Sequence, residues 1–133
     1  MIKEGYTSNE RIKEESDFLR GNISNLLHDD SITHFPSEEE FLLKFHGITQ
    51  QDNRDERLIR KKNGQGRNWL FMLRLRLPGG RITPSQWLAA ETLSDQFGNG
   101  TLKLTTRQAI QIHGVVKQDL KQTMKDIHHA AIT

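Results

Sequence analysis

Cysteine is absent from the 133 residues. That excludes a disulfide framework and any thiolate-held metal or cluster whose ligands come from this chain. No apolar run approaches the roughly 20 residues that would span a bilayer. The opening Met1-Ile2-Lys3-Glu4-Gly5 lacks the apolar stretch of a secretory signal, so a cytoplasmic protein without a membrane partner is expected. Carboxylates are scarce in the second half. Residues 67–133 hold 4 Asp/Glu against 9 Lys/Arg, a net +5, whereas residues 1–66 hold 13 against 10, a net −3. A basic half implies an anionic partner, either a small molecule or nucleic acid. Hydrophobic residues make up 34% of the chain, enough for a small core in one domain with an extension.

The pattern along the chain divides it into an arm, residues 1–66, and a more regular unit, residues 67–133. In the arm, Thr7-Ser8-Asn9-Glu10 reads as a capping box opening a helix that runs to about Leu19. Gly21 interrupts it, and a second short helix is expected over Ile23 to Leu27. After the break at Pro36, Phe41 to Ile48 reads as a strand, and the charged run from Gln50 to Gly66 as a long loop rather than a core element. In the second unit Trp69 to Leu77 alternates, with Phe71, Leu73, Leu75 and Leu77 on one face and Met72, Arg74 and Arg76 on the other. Pro78-Gly79-Gly80 turns the chain. Thr83-Pro84-Ser85-Gln86 starts a helix that Gly98 stops. Thr101 to Thr105 and Arg107 to Val115 read as strands, and Asp119 to Ile127 as a helix. The order strand, helix, strand, strand, helix predicts an α+β fold, a ferredoxin-like split βαβ unit without its last strand, preceded by an irregular helical arm. A fragment, or a protein completed by something else, is expected.

Residues two apart on a strand share a face. Arg107, Ala109, Gln111 and His113 therefore lie together, opposite Ile110 and Ile112. Leu102 and Leu104 are expected inward, leaving Lys103 outward. One sheet face then presents Arg74, Arg76, Lys103, Arg107, Gln111 and His113 without a carboxylate. Arginine forks and a lysine suit a polyanion, although on spacing alone a solvated basic face accounts for the pattern equally well.

Several ordered motifs are similar to those of the sulfite reductase haemoproteins of the nitrite/sulfite reductase family. Met72-Leu73-Arg74-Leu75-Arg76-Leu77-Pro78-Gly79-Gly80 resembles their LR-x-R-x-PGG signature. Thr101 to Gln108 and Gln111-Ile112-His113-Gly114 resemble the strand pair that grips sirohaem. Ser16-Asp17-Phe18-Leu19-Arg20-Gly21, Phe45-His46-Gly47, Gln50-Gln51-Asp52 and Arg54-Asp55 resemble the arm motifs. The resemblance implies the N-terminal portion of an assimilatory enzyme that reduces sulfite to sulfide by six electrons at sirohaem coupled to a 4Fe-4S cluster. It implies Arg74 as the catalytic contact to sulfite, and Lys103, Arg107, Gln111 and His113 as sirohaem ligands with Arg76 in support. Lys103 departs mildly, since arginine is usual there in the NADPH-linked branch. No residue of this chain is implied as a metal ligand. The four cluster cysteines, an arginine and two lysines are implied beyond residue 133, so the chain alone is expected to be inactive and to hold sirohaem weakly. The implied partners are sulfite, the remainder of the haemoprotein, and a flavoprotein reductase subunit or ferredoxin as electron donor.

Three other readings stand beside this one. Nitrite reduction uses the same family scaffold. A ferredoxin-like module can bind RNA, but stacking bases needs exposed aromatics on the central strands. Arg107, Gln111 and His113 take those places, so no nucleic acid is expected. A half-domain that interacts without catalysis also fits the missing cysteines. Among single residues, His46 is expected to hold the arm, and His128 and His129 to close a helix whose terminal carbonyls favour such groups.

Overall fold

The structure is a computed structural model that describes residues 5–130 and 132. Among the described residues six α-helices flank four antiparallel strands: α1 Ser8–Glu15, α2 Ile23–Leu27, α3 Ser37–Leu43, β1 Ile48–Asp52, α4 Arg54–Lys62, β2 Trp69–Arg76, α5 Pro84–Phe97, β3 Leu102–Leu104, β4 Ala109–Val115 and α6 Lys117–His129. Short 3-10 turns at Lys44–His46 and Pro78–Gly80 follow α3 and β2. The sheet order is β1-β2-β4-β3. From β2 to α6 the order is the expected ferredoxin-like β-α-β-β-α, and β1 from the arm lies antiparallel beside β2, where such a unit carries its last strand.

Helix starts follow the chemistry of their caps. At α5 the Thr83 hydroxyl accepts the Gln86 N–H at 3.2 Å, and the Gln86 side chain accepts the Thr83 N–H at 2.9 Å, a reciprocal box with Pro84 at the first helical position. Thr7 and Glu10 form the same box at α1. That helix ends at Glu15 rather than near Leu19. Asp17, Phe18 and Leu19 instead take φ of 50°, 58° and 65°, a left-handed run that costs about 1–2 kcal/mol per residue. Ser16 holds it: its hydroxyl accepts the Leu19 N–H at 3.0 Å and donates to the Lys13 carbonyl at 2.6 Å.

Two readings of the arm are corrected. Phe41 to Ile48 is not a strand. Phe41–Leu43 end α3, whose first turn carries Glu38, Glu39 and Glu40, acidic groups that suit a helix N-terminus. Strand β1 begins only at Ile48. Nor is Gln50–Gly66 a loop, since it completes β1 and forms α4. The Asn53 side chain caps α4 by accepting the Asp55 N–H at 3.1 Å. Acidic residues lie in its first turn and Arg60, Lys61 and Lys62 in its last, as the helix dipole favours.

One core lies on one side of the sheet. It joins Phe71, Leu73 and Leu75 of β2 and Ile110, Ile112 and Val115 of β4 to Leu93 of α5, Leu120 of α6 and, from the arm, Phe35, Leu43 and Ile48. Lys117 is buried at the start of α6, where its ammonium donates to the Asp29 carbonyl at 2.6 Å and sits 5.8 Å from the Phe35 ring. It ties the arm to the half-domain.

Candidate functional site

The face of the sheet away from the core carries the predicted residues. β2 and β4 pair Arg74 with Gln111, and β3 pairs Lys103 with the same Gln111. Arg74, Gln111 and Lys103 therefore form one row across three strands. Arg76 lies two residues further along β2, opposite Ala109. Arg74, Arg76, Lys103 and Arg107 are exposed, while Gln111 and His113 are partly buried. Among the described residues none of the four cations has an ion-pair partner. The ion pairs among the described residues belong to the arm, Arg57 with Asp52 and Arg60 with Glu56. The Arg57 guanidinium holds the Asp52 carboxyl below the usual carboxylate range.

Two details of the strand reading are corrected. Arg107 is not in β4, which begins at Ala109; it lies in the turn from β3. The turn closes through Thr105, which donates its N–H to the Ala109 carbonyl at 3.0 Å and accepts the Ala109 N–H on its hydroxyl at 3.3 Å. Gln108 takes φ 54° within it. Leu104 shares the core-side face of Ile110 by register but is 70% exposed rather than inward, since β3 is a three-residue edge strand. Gly80 of the preceding turn approaches Gln108 so closely that an added Cβ would stand 3.3 Å from its Cγ. The Pro-Gly-Gly turn thus keeps the Arg107 turn against the end of β2.

A bulge sets His113. Between the pairs Phe71 with Val115 and Leu73 with Ile112 the register shifts by one, so Met72 opposes both His113 and Gly114. The extra residue returns Val115 to the core. The loop after α5 packs on it: the Asn99 N–H donates to the His113 carbonyl at 2.8 Å, and Gly114, at φ 83°, leaves only 3.0 Å between an added Cβ and Asn99. The His113 Nε2 lies 3.0 Å from the Gln111 Oε1. That amide oxygen only accepts, so Nε2 carries the proton and Nδ1 is left as an acceptor. Burial, and then the charge of Lys103, push the His113 pKa below the ordinary 6.5.

A lowered histidine pKa means that, as pH falls below 6.5, the unfolded chain takes up the proton first. Stability from neutral His113 is complete above that range and declines towards its lowered folded pKa. We expect an NMR titration of His113 to give a midpoint below 6.5, and Lys103→Met to move it upward. A midpoint unaffected by Lys103→Met would show that the two groups do not share a field.

The chain has counterparts among known proteins. Residues 62–130 match the model of the nitrite/sulfite reductase ferredoxin-like half domain. The chain belongs to that family. It is 55% identical over 121 residues to the sulfite reductase (NADPH) subunit beta of Saccharomyces cerevisiae, covering 91% of this chain and 8% of that protein. Identity is 46% over 123 residues to the sulfite reductase (NADPH) hemoprotein beta-component of Bacillus subtilis, covering 92% of this chain and 22% of that protein. The chain thus spans less than a quarter of either relative. Among solved structures, the NirA protein of Mycobacterium tuberculosis superposes with a TM-score of 0.72 at 18% identity, over 96% of this chain and 24% of that one. That likeness establishes the fold.

The half-domain of nitrite/sulfite reductase type therefore carries its basic row on strands that the arm completes. Sequence reasoning missed Gly47, whose carbonyl accepts the Arg74 N–H at 2.8 Å. The Phe45-His46-Gly47 motif marked the segment but not its reach to Arg74. As expected, His46 holds the arm, donating from Nε2 to the Leu19 carbonyl at 2.8 Å. His128 and His129 lie in the last turn of α6. Among the described residues no three His, Asp or Glu side chains gather as metal ligands would, and no helix is long and apolar enough to cross a membrane.

Proposed function

We propose that this chain is the N-terminal portion of an assimilatory sulfite reductase haemoprotein, residues 1–66 its arm and 67–133 its half-domain, and that the open sheet face is one wall of the sirohaem and sulfite site. The observation that carries the reading is the in-register row Arg74, Gln111, Lys103, free of ion pairs with described carboxylates. The names of the relatives support sulfite as the substrate.

The donor set fits a carboxylate-rich macrocycle. Guanidinium forks at Arg107 and the ammonium of Lys103 bind carboxylates, and Gln111 and His113 add hydrogen-bonding groups. Arg76 reinforces the field beside them. Sirohaem, when bound, supplies the iron at which the six electrons reach sulfite. Arg74 holds a sulfite oxygen and directs N–H donors at it as negative charge builds there. A 4Fe-4S cluster finds no thiolate in this chain, so its ligands belong to the remainder of the haemoprotein. The relatives' names carry NADPH, which favours a flavoprotein reductase subunit over ferredoxin as electron donor.

The test is an absorption titration of this chain with sirohaem, compared with the Arg107→Ala/His113→Ala double variant. We expect weak binding with a shifted band in the parent and affinity about 30-fold lower in the variant, from one charge-assisted and one neutral hydrogen bond lost. Equal affinities would remove the cofactor from this face.

A further inference from the structure

The arm motifs Ser16–Gly21 and Phe45–Gly47 supply no group to the proposed cofactor wall, yet they converge on Arg74. The left-handed run Asp17, Phe18, Leu19 places the Leu19 carbonyl against His46, whose Nε2 donates to it at 2.8 Å. Gly47 follows at φ 78° and ψ 19°, and there its carbonyl accepts the Arg74 N–H at 2.8 Å. The approach needs glycine. An added Cβ would stand 3.2 Å from the Arg74 carbonyl oxygen and 3.9 Å from the Arg74 Cβ.

The location of this contact matters. The β1 ladder pairs Ile48 with Leu73 and goes no further along β2. Gly47 is thus the last group to grip β2 from the arm side, while Gln111 faces Arg74 from β4. Beyond it β2 borders a cavity of about 260 Å³ whose lining includes Gly47, Arg74 and Leu75. Along that edge the backbone bond from the Arg74 N–H to the Gly47 carbonyl ties β2 to the arm. That bond is only as fixed as Gly47, which is held by its N–H to the Lys44 carbonyl at 3.3 Å, by the buried Ile48 that follows it, and on its other side by the bond of His46 to the left-handed turn.

We infer that His46 and Gly47 are positioning residues for Arg74, acting through the chain Leu19 carbonyl, His46 ring, Gly47 carbonyl, Arg74 N–H. This inference rests on the reading of Arg74 as the sulfite contact. It gives the arm a part in anion binding that none of its side chains plays directly.

The experiment follows the Arg74 Nε–Hε resonance of the 15N-labelled chain, identified by its loss in Arg74→Ala, together with sulfite titrations. Gly47→Ala and His46→Ala should shift that resonance, leave that of Arg76 in place, and weaken sulfite binding about tenfold, as small misplacements of a binding group do. His46→Gln, whose amide still donates to the Leu19 carbonyl, should restore both readouts, which a general loss of stability would not allow. Folded Gly47→Ala and His46→Ala chains with the parent's resonance and affinity would overturn the inference. If Gly47→Ala does not fold, the comparison of His46→Ala with His46→Gln decides alone. Sulfite affinity unchanged in Arg74→Ala would instead overturn the functional reading of Arg74, and a resonance shift in the His46 and Gly47 variants would then still show the arm setting that side chain.

Discussion

Phe71→Ala is expected to destabilise the chain by about 3–5 kcal/mol, the range for emptying a fully buried aromatic site. Phe71 is 0% exposed and 1% remains for Phe35, whose ring meets it edge to face at 5.7 Å. The two rings come from different parts of the chain. Phe71 lies in β2 between Gln50 of β1 and Val115 of β4, whereas Phe35 precedes α3 in the arm. Phe35→Ala should therefore cost nearly as much in the same cooperative transition. The double variant should cost less than the sum, because the edge-to-face contact, about 0.5–1.5 kcal/mol beyond area burial, is lost only once. Urea unfolding followed by tryptophan fluorescence reports this directly, since Trp69 starts β2 and stacks on His34 of the arm at 4.6 Å. A Phe35→Ala chain whose global midpoint stays at the parent value would show instead that the arm is an appendage to an independently stable half-domain.

Parts of this architecture are written locally and parts are not. The alternation from Phe71 to Leu77 marks β2 because a strand with one buried face needs period two. The Thr83 box marks α5 because the cap and its reciprocal partner are three residues apart. The same alternation in β2, β3 and β4 placed Arg74, Gln111 and Lys103 on one face. Strand β1 carries no such mark. Ile48-Thr49-Gln50-Gln51-Asp52 has one apolar residue, and its pairing depends on β2, distant in sequence. Helix α4 has no buried residue; Leu58 and Ile59 are exposed, so hydrophobic periodicity had nothing to report. Its caps and charges hold it instead. The bulge at His113 and Gly114 escaped because strict alternation assumes no extra residue. Leu104 was misjudged because a face says nothing about how far the covering helix extends. The resemblance motifs named the arm segments correctly as a set, but could not say that Gly47 reaches Arg74.

Gln50→Ala is expected to cost about 2–4 kcal/mol, because two buried backbone groups each lose their only side-chain partner. The Gln50 Oε1 accepts the Phe35 N–H at 2.6 Å, and its Nε2 donates to the Phe35 carbonyl at 3.2 Å. A side-chain amide thereby replaces a strand neighbour, pairing both polar groups of a residue whose ring must enter the core. Gln50 is itself 7% exposed, so water is poorly placed to take over either bond. Glutamate tests the geometry. Gln50→Glu keeps an acceptor for the Phe35 N–H but has no donor for the carbonyl at neutral pH, and it buries a charge. It should therefore be no better than alanine at pH 7 and should recover part of the loss at acidic pH, where the protonated carboxyl again offers one donor and one acceptor. Stability measured by urea titration at both pH values separates the cases. A Gln50→Ala chain within about 0.5 kcal/mol of the parent, the range of ordinary surface changes, would mean that Phe35 finds other partners and that the first glutamine of the Gln-Gln-Asp motif does not anchor the arm.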